Sequence, residues 1–301
     1  MGTRDSRASR ARRALIAVAF AFAALTGVAT PASAAPNVPI AAAAPADGAY
    51  VALGDSFTAG PLIPNQVGDP LGCLRSDRDY PHLVARSLQP AAFRDVSCSG
   101  ADTGDMTGSQ GVTPGPNPPQ FDALDASTTL VTLGIGGNDI GFGGIVESCL
   151  ALFPWDTPCQ RRFVVNGVDE LARRIQETAP DIAATLAGIR QRAPQARVLV
   201  VGYPSIVPDQ GVNCWPVLPL GWGDIDYLRR TTKALNAMLA AQAAAAGATY
   251  VDTYTPSIGR DACASSTRRW VEPLIPIGAA PVHPNARGMQ GMADAVLRAL
   301  A

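Results

Sequence analysis

The sequence predicts a three-layer α/β/α sandwich around a mainly parallel five-stranded sheet. Two observations carry that expectation. Short apolar runs of four to seven residues alternate with longer stretches whose apolar residues recur every three or four positions. The runs are too continuously apolar for strands with one wet face, so helices must cover the sheet on both sides.

The first residues stand apart from that pattern. Arg4, Arg7, Arg10, Arg12 and Arg13 precede an apolar run from Ala14 to Val28, and small residues then end in Ala32-Ser33-Ala34. A basic start, a short apolar middle and an A-x-A ending describe a secretory signal peptide over residues 1–34, cleaved after Ala34. The apolar run is shorter than the roughly 20 residues of a membrane span, so a retained anchor fits less well. Arg12-Arg13 is a weak sign of twin-arginine export. Removing 34 of 301 residues leaves 267, with 19 basic and 24 acidic side chains and a net charge of −5. Residues 35–48 are rich in Ala and Pro and read as a mobile leader, and residues 49–301 as a single domain.

Within that domain Tyr50-Val51-Ala52-Leu53 is the first strand, Phe93 to Val96 a weaker second and Leu130 to Ile135 the third. Arg197 to Tyr203 is the clearest, β-branched and closed by Gly and Pro, and Thr249 to Asp252 is the fifth. Val168, Leu171, Ile175, Ile182, Leu186 and Ile189 keep helical spacing, with a break or kink expected at Pro180. Ile225, Leu228, Leu235 and Leu239 form a second stripe, and Ala286 to Leu300 a final helix with Met289, Met292 and Val296 inward. Residues 61–80 and 108–120 are rich in Pro, Gly and Asn and read as long loops that shape a site or are tolerated insertions.

Composition narrows the chemistry. Charged residues make up 16% of the chain and hydrophobic ones 47%, which excludes a disordered tail or a collagen-like repeat. Basic residues cluster only at the extreme N-terminus, so no nucleic-acid partner is expected. With two histidines, His82 and His283, and no paired C-x-x-C, neither a metal nor another cofactor is expected. Cys73, Cys98, Cys149, Cys159, Cys214 and Cys263 all follow the signal peptide, an even number that suits three disulfides in an exported protein. Six cysteines allow fifteen pairings. The short separations 73/98 and 149/159 favour sequential pairing without excluding the others.

Four short segments carry the chemistry. Gly54-Asp55-Ser56 follows the first strand, and the carboxyl ends of strands in a parallel sheet are where ligands bind. A serine there can act as nucleophile with its own N–H turned to the oxyanion, although an Asp/Ser helix cap is the ordinary alternative. It is not a G-x-S-x-G elbow, because residue 58 is Thr. Cys98-Ser99-Gly100 follows the second strand, where glycine lets a backbone N–H approach a ligand. Gly136-Gly137-Asn138-Asp139 follows the third. Its asparagine can donate to an oxyanion, and a dinucleotide loop fails because Asp139 occupies the third glycine position. His283-Pro284-Asn285 precedes the last helix, within reach of a general-base role, whereas His82 at the start of a helical stretch is expected to face solvent.

Together, in this order, the blocks resemble the SGNH/GDSL hydrolase family over residues 50–301, and most of all its secreted bacterial lipases and esterases with three disulfides. The resemblance implies the flavodoxin-like SGNH-hydrolase form of the sandwich. It also implies the pairs Cys73–Cys98, Cys149–Cys159 and Cys214–Cys263. Carried over by motif, Ser56 is the nucleophile and His283 the general base. The N–H groups of Ser56 and Gly100 and the Asn138 amide form the oxyanion hole, and Asp55 is a positioning residue. One departure stands out. Many members carry Asp three residues before the histidine, and this chain has Ala280. Relatives with that departure use a main-chain carbonyl near the same position, giving a Ser–His dyad, with Asp252 or Glu272 as the more distant alternatives.

The implied activity is hydrolysis of acyl esters or lipids through an acyl-enzyme, without cofactor, by a secreted monomer with no stable membrane insertion. Val217 to Trp222 would line an acyl site or serve equally well as loop packing. A carbohydrate acetylesterase with the same dyad is the nearer alternative, and a non-catalytic secreted binding protein the more distant one.

Overall fold

The computed structural model describes residues 48–211 and 214–301. The signal peptide, its cleavage point and the leader up to residue 47 lie outside the described residues. The five expected strand segments form β1 (Ala49–Gly54), β2 (Ala92–Asp95), β3 (Thr128–Gly134), β4 (Arg197–Val201) and β5 (Thr249–Val251). They pair in the order β2-β1-β3-β4-β5, and all four pairings are parallel.

Alternate residues serve opposite faces, as the two-residue repeat of a strand requires. Val51, Leu53, Val131, Leu133, Val198 and Val200 enter one core, while Tyr50, Ala52, Leu130, Leu199 and Val201 enter the other. The first core is covered by α5 (Glu170–Arg192) and α6 (Trp222–Ala245), the second by α2 (Tyr80–Leu88) and α8 (Ala286–Leu300). Four short helices, α1 (Ser56–Ala59), α3 (Phe142–Ser148), α4 (Pro158–Phe163) and α7 (Tyr254–Ser257), lie in the connections. No helix among the described residues is long and apolar enough to cross a membrane.

This strand order reverses direction between β1 and β3, and the crevice beyond the carboxyl ends of those strands is where such sheets bind ligands. Ser56 follows β1 directly, and the loops carrying Gly100 and Asn138 follow β2 and β3. Topology alone therefore gathers three of the four motif segments at one crevice.

Three local expectations are corrected. Pro180 does not interrupt α5, which runs unbroken for 23 residues. Pro180 is exposed, so the hydrogen bond it cannot donate is lost on the wet face, while Ile175, Ile182, Leu186 and Ile189 stay clamped to the sheet. Val168 belongs to a two-residue strand before the helix and is exposed, because Asp169 caps the helix there by accepting from the Leu171 and Ala172 N–H groups. The long loop 61–80 contains an antiparallel pair, Gln66–Val67 with Arg75–Ser76.

The disulfides are Cys73–Cys98, Cys149–Cys159 and Cys214–Cys263, the sequential pattern. Cys73–Cys98 ties the 61–80 loop to the turn after β2, and the Ser99 N–H donates to the Cys73 carbonyl at 3.0 Å beside it.

Candidate active site

The serine owes its place to the glycine two residues before it. Gly54 has φ +151°, and a Cβ there would come within 2.3 Å of Thr58 Oγ1 and 2.5 Å of the Gly134 carbonyl. Only glycine lets β1 turn this sharply into α1. Asp55 caps that turn, its Oδ1 accepting the Phe57 N–H at 2.8 Å, and its Oδ2 accepts the Tyr203 hydroxyl. Complete burial pushes the Asp55 carboxyl up to about 7 against the pull of the Tyr203 and Phe57 donors.

The histidine arrives from the other end of the chain. Its Nε2 lies 2.8 Å from Ser56 Oγ, and its Nδ1 lies 2.7 Å from the carbonyl oxygen of Pro281. A neutral imidazole with its proton on Nδ1 donates to Pro281 and offers Nε2 to the serine. Val282, between the two, has φ +61°, a backbone state costly for a β-branched residue, and it bends the Pro281 carbonyl onto the ring two residues on. The strained turn is held from both sides. Val282 donates to the Glu272 carbonyl, Glu272 donates to the His283 carbonyl, and His283 donates to the Ala280 carbonyl. Phe57 and Phe142 pack on the imidazole with ring centroids 5.0 and 5.8 Å away. Burial lowers the His283 pKa, offset only in part by the Pro281 carbonyl.

Neither distant acid reaches the ring. Asp252, two residues before α7, accepts the Tyr254 and Thr255 N–H groups at 2.9 and 3.0 Å. Glu272 accepts from Arg269 at 2.7 Å, Asn285 at 2.7 Å and the Ile277 N–H at 3.0 Å. Burial pushes the Glu272 carboxyl up, but these donors outweigh it and hold it below the ordinary range. Because Asn285 also caps α8, Glu272 fastens the histidine loop to that helix.

The expected oxyanion donors line the same cavity as Ser56 and His283. Among the described residues the N–H groups of Ser56 and Gly100 have no protein acceptor. Gly100 has φ +84°, so its side-chain-free backbone is what the turn requires. The Asn138 amide uses one hydrogen on the Ala101 carbonyl at 2.8 Å, which leaves the other for a ligand. Asp139 accepts from the Thr103 N–H and hydroxyl, tying the Asn138 and Gly100 loops together.

His82 is elsewhere, and the expectation that it faces solvent is corrected. Its Nδ1 lies 2.8 Å from Asp79 Oδ1 and 3.7 Å from Asp95 Oδ2, with the ring edge-on to Phe93. The Asp79 side chain is fully buried as the cap of α2, and this draws His82 inward. Burial pushes the Asp79 carboxyl up to about 8 and raises Asp95 as well, with Asp79 beside it.

Several residues that shape the site were not singled out from sequence. The Tyr203 hydroxyl accepts the Gly137 N–H at 2.8 Å while donating to Asp55, so it links the serine turn to the Asn138 loop. The Asn236 amide clasps the Tyr203 backbone with two 2.8 Å hydrogen bonds, and the Gln120 amide clasps Gly54 likewise at 2.8 and 2.9 Å. Position at the end of the clearest strand was the only signal for Tyr203. The two amides, far from their partners in sequence, left none.

Beside the serine cavity lies a more enclosed, almost wholly apolar slot, and Phe142, Val146 and Val282 line both. Leu218, Pro219 and Leu220 form part of its wall, but Val217 and Trp222 point outward and are about half exposed. The expected acyl-site stretch thus contributes its middle, not its ends.

Residues 52–290 match the GDSL-like Lipase/Acylhydrolase family. Lipase 2 of Streptomyces coelicolor is 41% identical over 255 residues, covering 81% of this chain and 83% of that protein. The crystal structure of phospholipase A1 from Streptomyces albidoflavus NA297 superposes with a TM-score of 0.71 at 30% identity, covering 85% of this chain and 100% of that one. The extracellular lipase of Streptomyces rimosus gives 0.69 at 27% identity, over 84% and 99%. With the sheet, the loop order and the sequence in agreement, the chain belongs to the GDSL-like lipase/acylhydrolase family of hydrolases.

Proposed function

We propose that the protein is a secreted serine ester hydrolase acting on acyl esters of lipids through a Ser56–His283 dyad. The observation that carries this reading is the chain of contacts from the Pro281 carbonyl through both ring nitrogens of His283 to Ser56 Oγ. The carbonyl takes the orienting role of a triad acid. It fixes the tautomer and favours the imidazolium that forms when Nε2 takes the Ser56 proton.

The steps balance within the residues present. As Oγ bonds to the ester carbon, its proton moves to His283 and the carbonyl oxygen becomes an oxyanion facing Ser56 N–H, Gly100 N–H and the Asn138 amide. Collapse breaks the bond to the alcohol, which leaves with the proton held on Nε2. Water then gives a proton to His283 as its oxygen attacks the acyl carbon, and the acid departs as Oγ recovers the proton. Asp55 and Tyr203 position the serine turn and move no proton in this scheme.

The apolar slot that shares Phe142, Val146 and Val282 with the wall of the serine cavity supports a hydrocarbon acyl group over a polar sugar. Six cysteines, all paired, support export. With it go cleavage after Ala34, a single domain over 49–301, a monomeric state, and no stable membrane insertion or nucleic-acid partner.

Kinetics on p-nitrophenyl esters of rising chain length test the proposal. Ser56→Ala and His283→Ala should each lower kcat by about 10³-fold or more, the scale seen when a member of such a unit is removed. Chains of eight or more carbons should give higher kcat/KM than acetate. Retained hydrolysis by Ser56→Ala would overturn the assignment.

A further inference from the structure

We propose that the apolar face around the mouth of the slot is a docking surface for the interface of an aggregated zwitterionic phospholipid. This deepens the lipid-ester reading and rests on it.

The face is built from two chain segments locked together. Between Cys149 and Cys159, Leu152 is 84% exposed and Trp155 69%. The Phe153 and Trp155 rings stack with centroids 5.2 Å apart and planes 4° from parallel, an aromatic pair turned to water instead of the core. The segment cannot fold away. Its disulfide closes it, Leu150 bridges Leu220, the Ala151 N–H donates to the Pro219 carbonyl at 2.9 Å, and the Trp222 N–H donates to Pro154 at 2.7 Å. Leu150 and Leu220 also line the slot, so the exposed residues are the outer side of its wall. A third segment adds Leu274, which lines the slot, and its neighbour Ile275, 84% exposed.

Charge selects the occupant. Residues 214–223 and 273–282 contain no ionisable side chain, and residues 149–160 contain only Asp156, which accepts the Phe153 N–H at 3.3 Å. Exposed Arg161 and Arg162 follow at the end of α4. An uncharged face with two cations at its margin complements hydrocarbon below a layer of phosphates. The 24 acidic and 19 basic side chains beyond residue 34 oppose a strongly anionic surface. Trp suits such a boundary, with an apolar body and one N–H donor. The slot's enclosure makes docking consequential. An acyl chain that reached it through water would expose every methylene on the way, whereas a docked mouth lets the chain pass between two apolar media.

The test uses the full mature protein carrying Ser56→Ala, so that binding is read without turnover, mixed with phosphatidylcholine vesicles. It should co-float with the vesicles and its tryptophan emission should shift to the blue. The combined substitution Leu152→Ser, Phe153→Ser and Trp155→Ser, none lining the slot, should lower the vesicle-bound partition coefficient by at least tenfold. Placed in the Ser56 protein, the same three changes should leave hydrolysis of soluble p-nitrophenyl butyrate within twofold. Trp155→Ser alone, checked for an unchanged thermal midpoint, should lower partitioning in the same direction. Failure of the Ser56→Ala protein to float, equal flotation of the triple variant, or a patch-dependent dimer that does not bind vesicles would each overturn the proposal. Flotation by a parent that cleaves no ester would instead refute the hydrolase reading and leave the docking surface standing.

Discussion

At the scale of single residues, the departure at Ala280 explains itself in the turn that follows. Val282 in a left-handed conformation brings the Pro281 carbonyl 2.7 Å from Nδ1, the place a carboxylate would otherwise occupy. A carbonyl is neutral, so it orients the ring while raising its basicity less than a carboxylate would. Burial then dominates and the His283 pKa falls below the ordinary 6.5. A base must be neutral to act, so lowering its pKa extends activity to more acid conditions. The His283 ionisation should therefore have its midpoint below pH 6.5 in the kcat/KM profile, apart from any step near 7 due to Asp55. Glu272→Gln separates the dyad from a hidden triad. It should leave that acid limb within about 0.3 pH units while lowering stability by about 3 kcal/mol, because Arg269 loses its buried partner. A shift of a full unit, in a profile measured on soluble ester, would restore Glu272 as a participant.

At the scale of elements, strands were more legible than the ties between them. All five segments are strands with ends no more than two residues from those expected. β1, β3 and β4 were the plainest because a buried central strand is continuously apolar, whereas β2 is a part-buried edge strand containing Arg94 and Asp95. The ends moved because sequence marks hydrophobicity, not pairing. β2 begins at Ala92, where the parallel register to Ala49 starts. Hidden from sequence were the side-chain amides that hold strand exits in place. Gln120 satisfies both the N–H and the C=O of Gly54, and Asn236 both those of Tyr203, across separations of 66 and 33 residues. Each reads locally as an unremarkable polar residue. Gln120→Ala would leave the buried Gly54 N–H unpaired, while the Gly54 carbonyl keeps the Cys98 N–H at 2.9 Å, at a cost of about 1–3 kcal/mol. Urea unfolding should show that loss, and kcat should drop further than for Gln120→Glu, which keeps the acceptor for Gly54 N–H. Equal stability of Gln120→Ala and the parent would refute the clasp.

At the scale of the whole molecule, function follows from strand order. The arrangement β2-β1-β3 sets the turns after three neighbouring strands around one crevice, and the closing loop before α8 brings His283 to Ser56 from 227 residues away. The motifs were readable because nucleophile, donors and base each need a particular residue type at a strand end or helix start. Ser56, Gly100, Asn138 and His283 accordingly line one cavity. Less readable was the role of a residue whose surroundings decide it. His82 looked exposed but is drawn in by Asp79 and Asp95, and Glu272 looked like a candidate acid but fastens a loop. This convergence underlies the proposal that Ser56 is the acyl acceptor and His283 its base. The most direct measurement is intact and peptide mass spectrometry of the mature protein, acid-quenched during turnover of a p-nitrophenyl ester. One acyl group is expected on the peptide containing Ser56, lost in Ser56→Ala and not accumulated in His283→Ala. An acyl group on another residue, or full turnover with no adduct in a time course that resolves the first cycle, would contradict it.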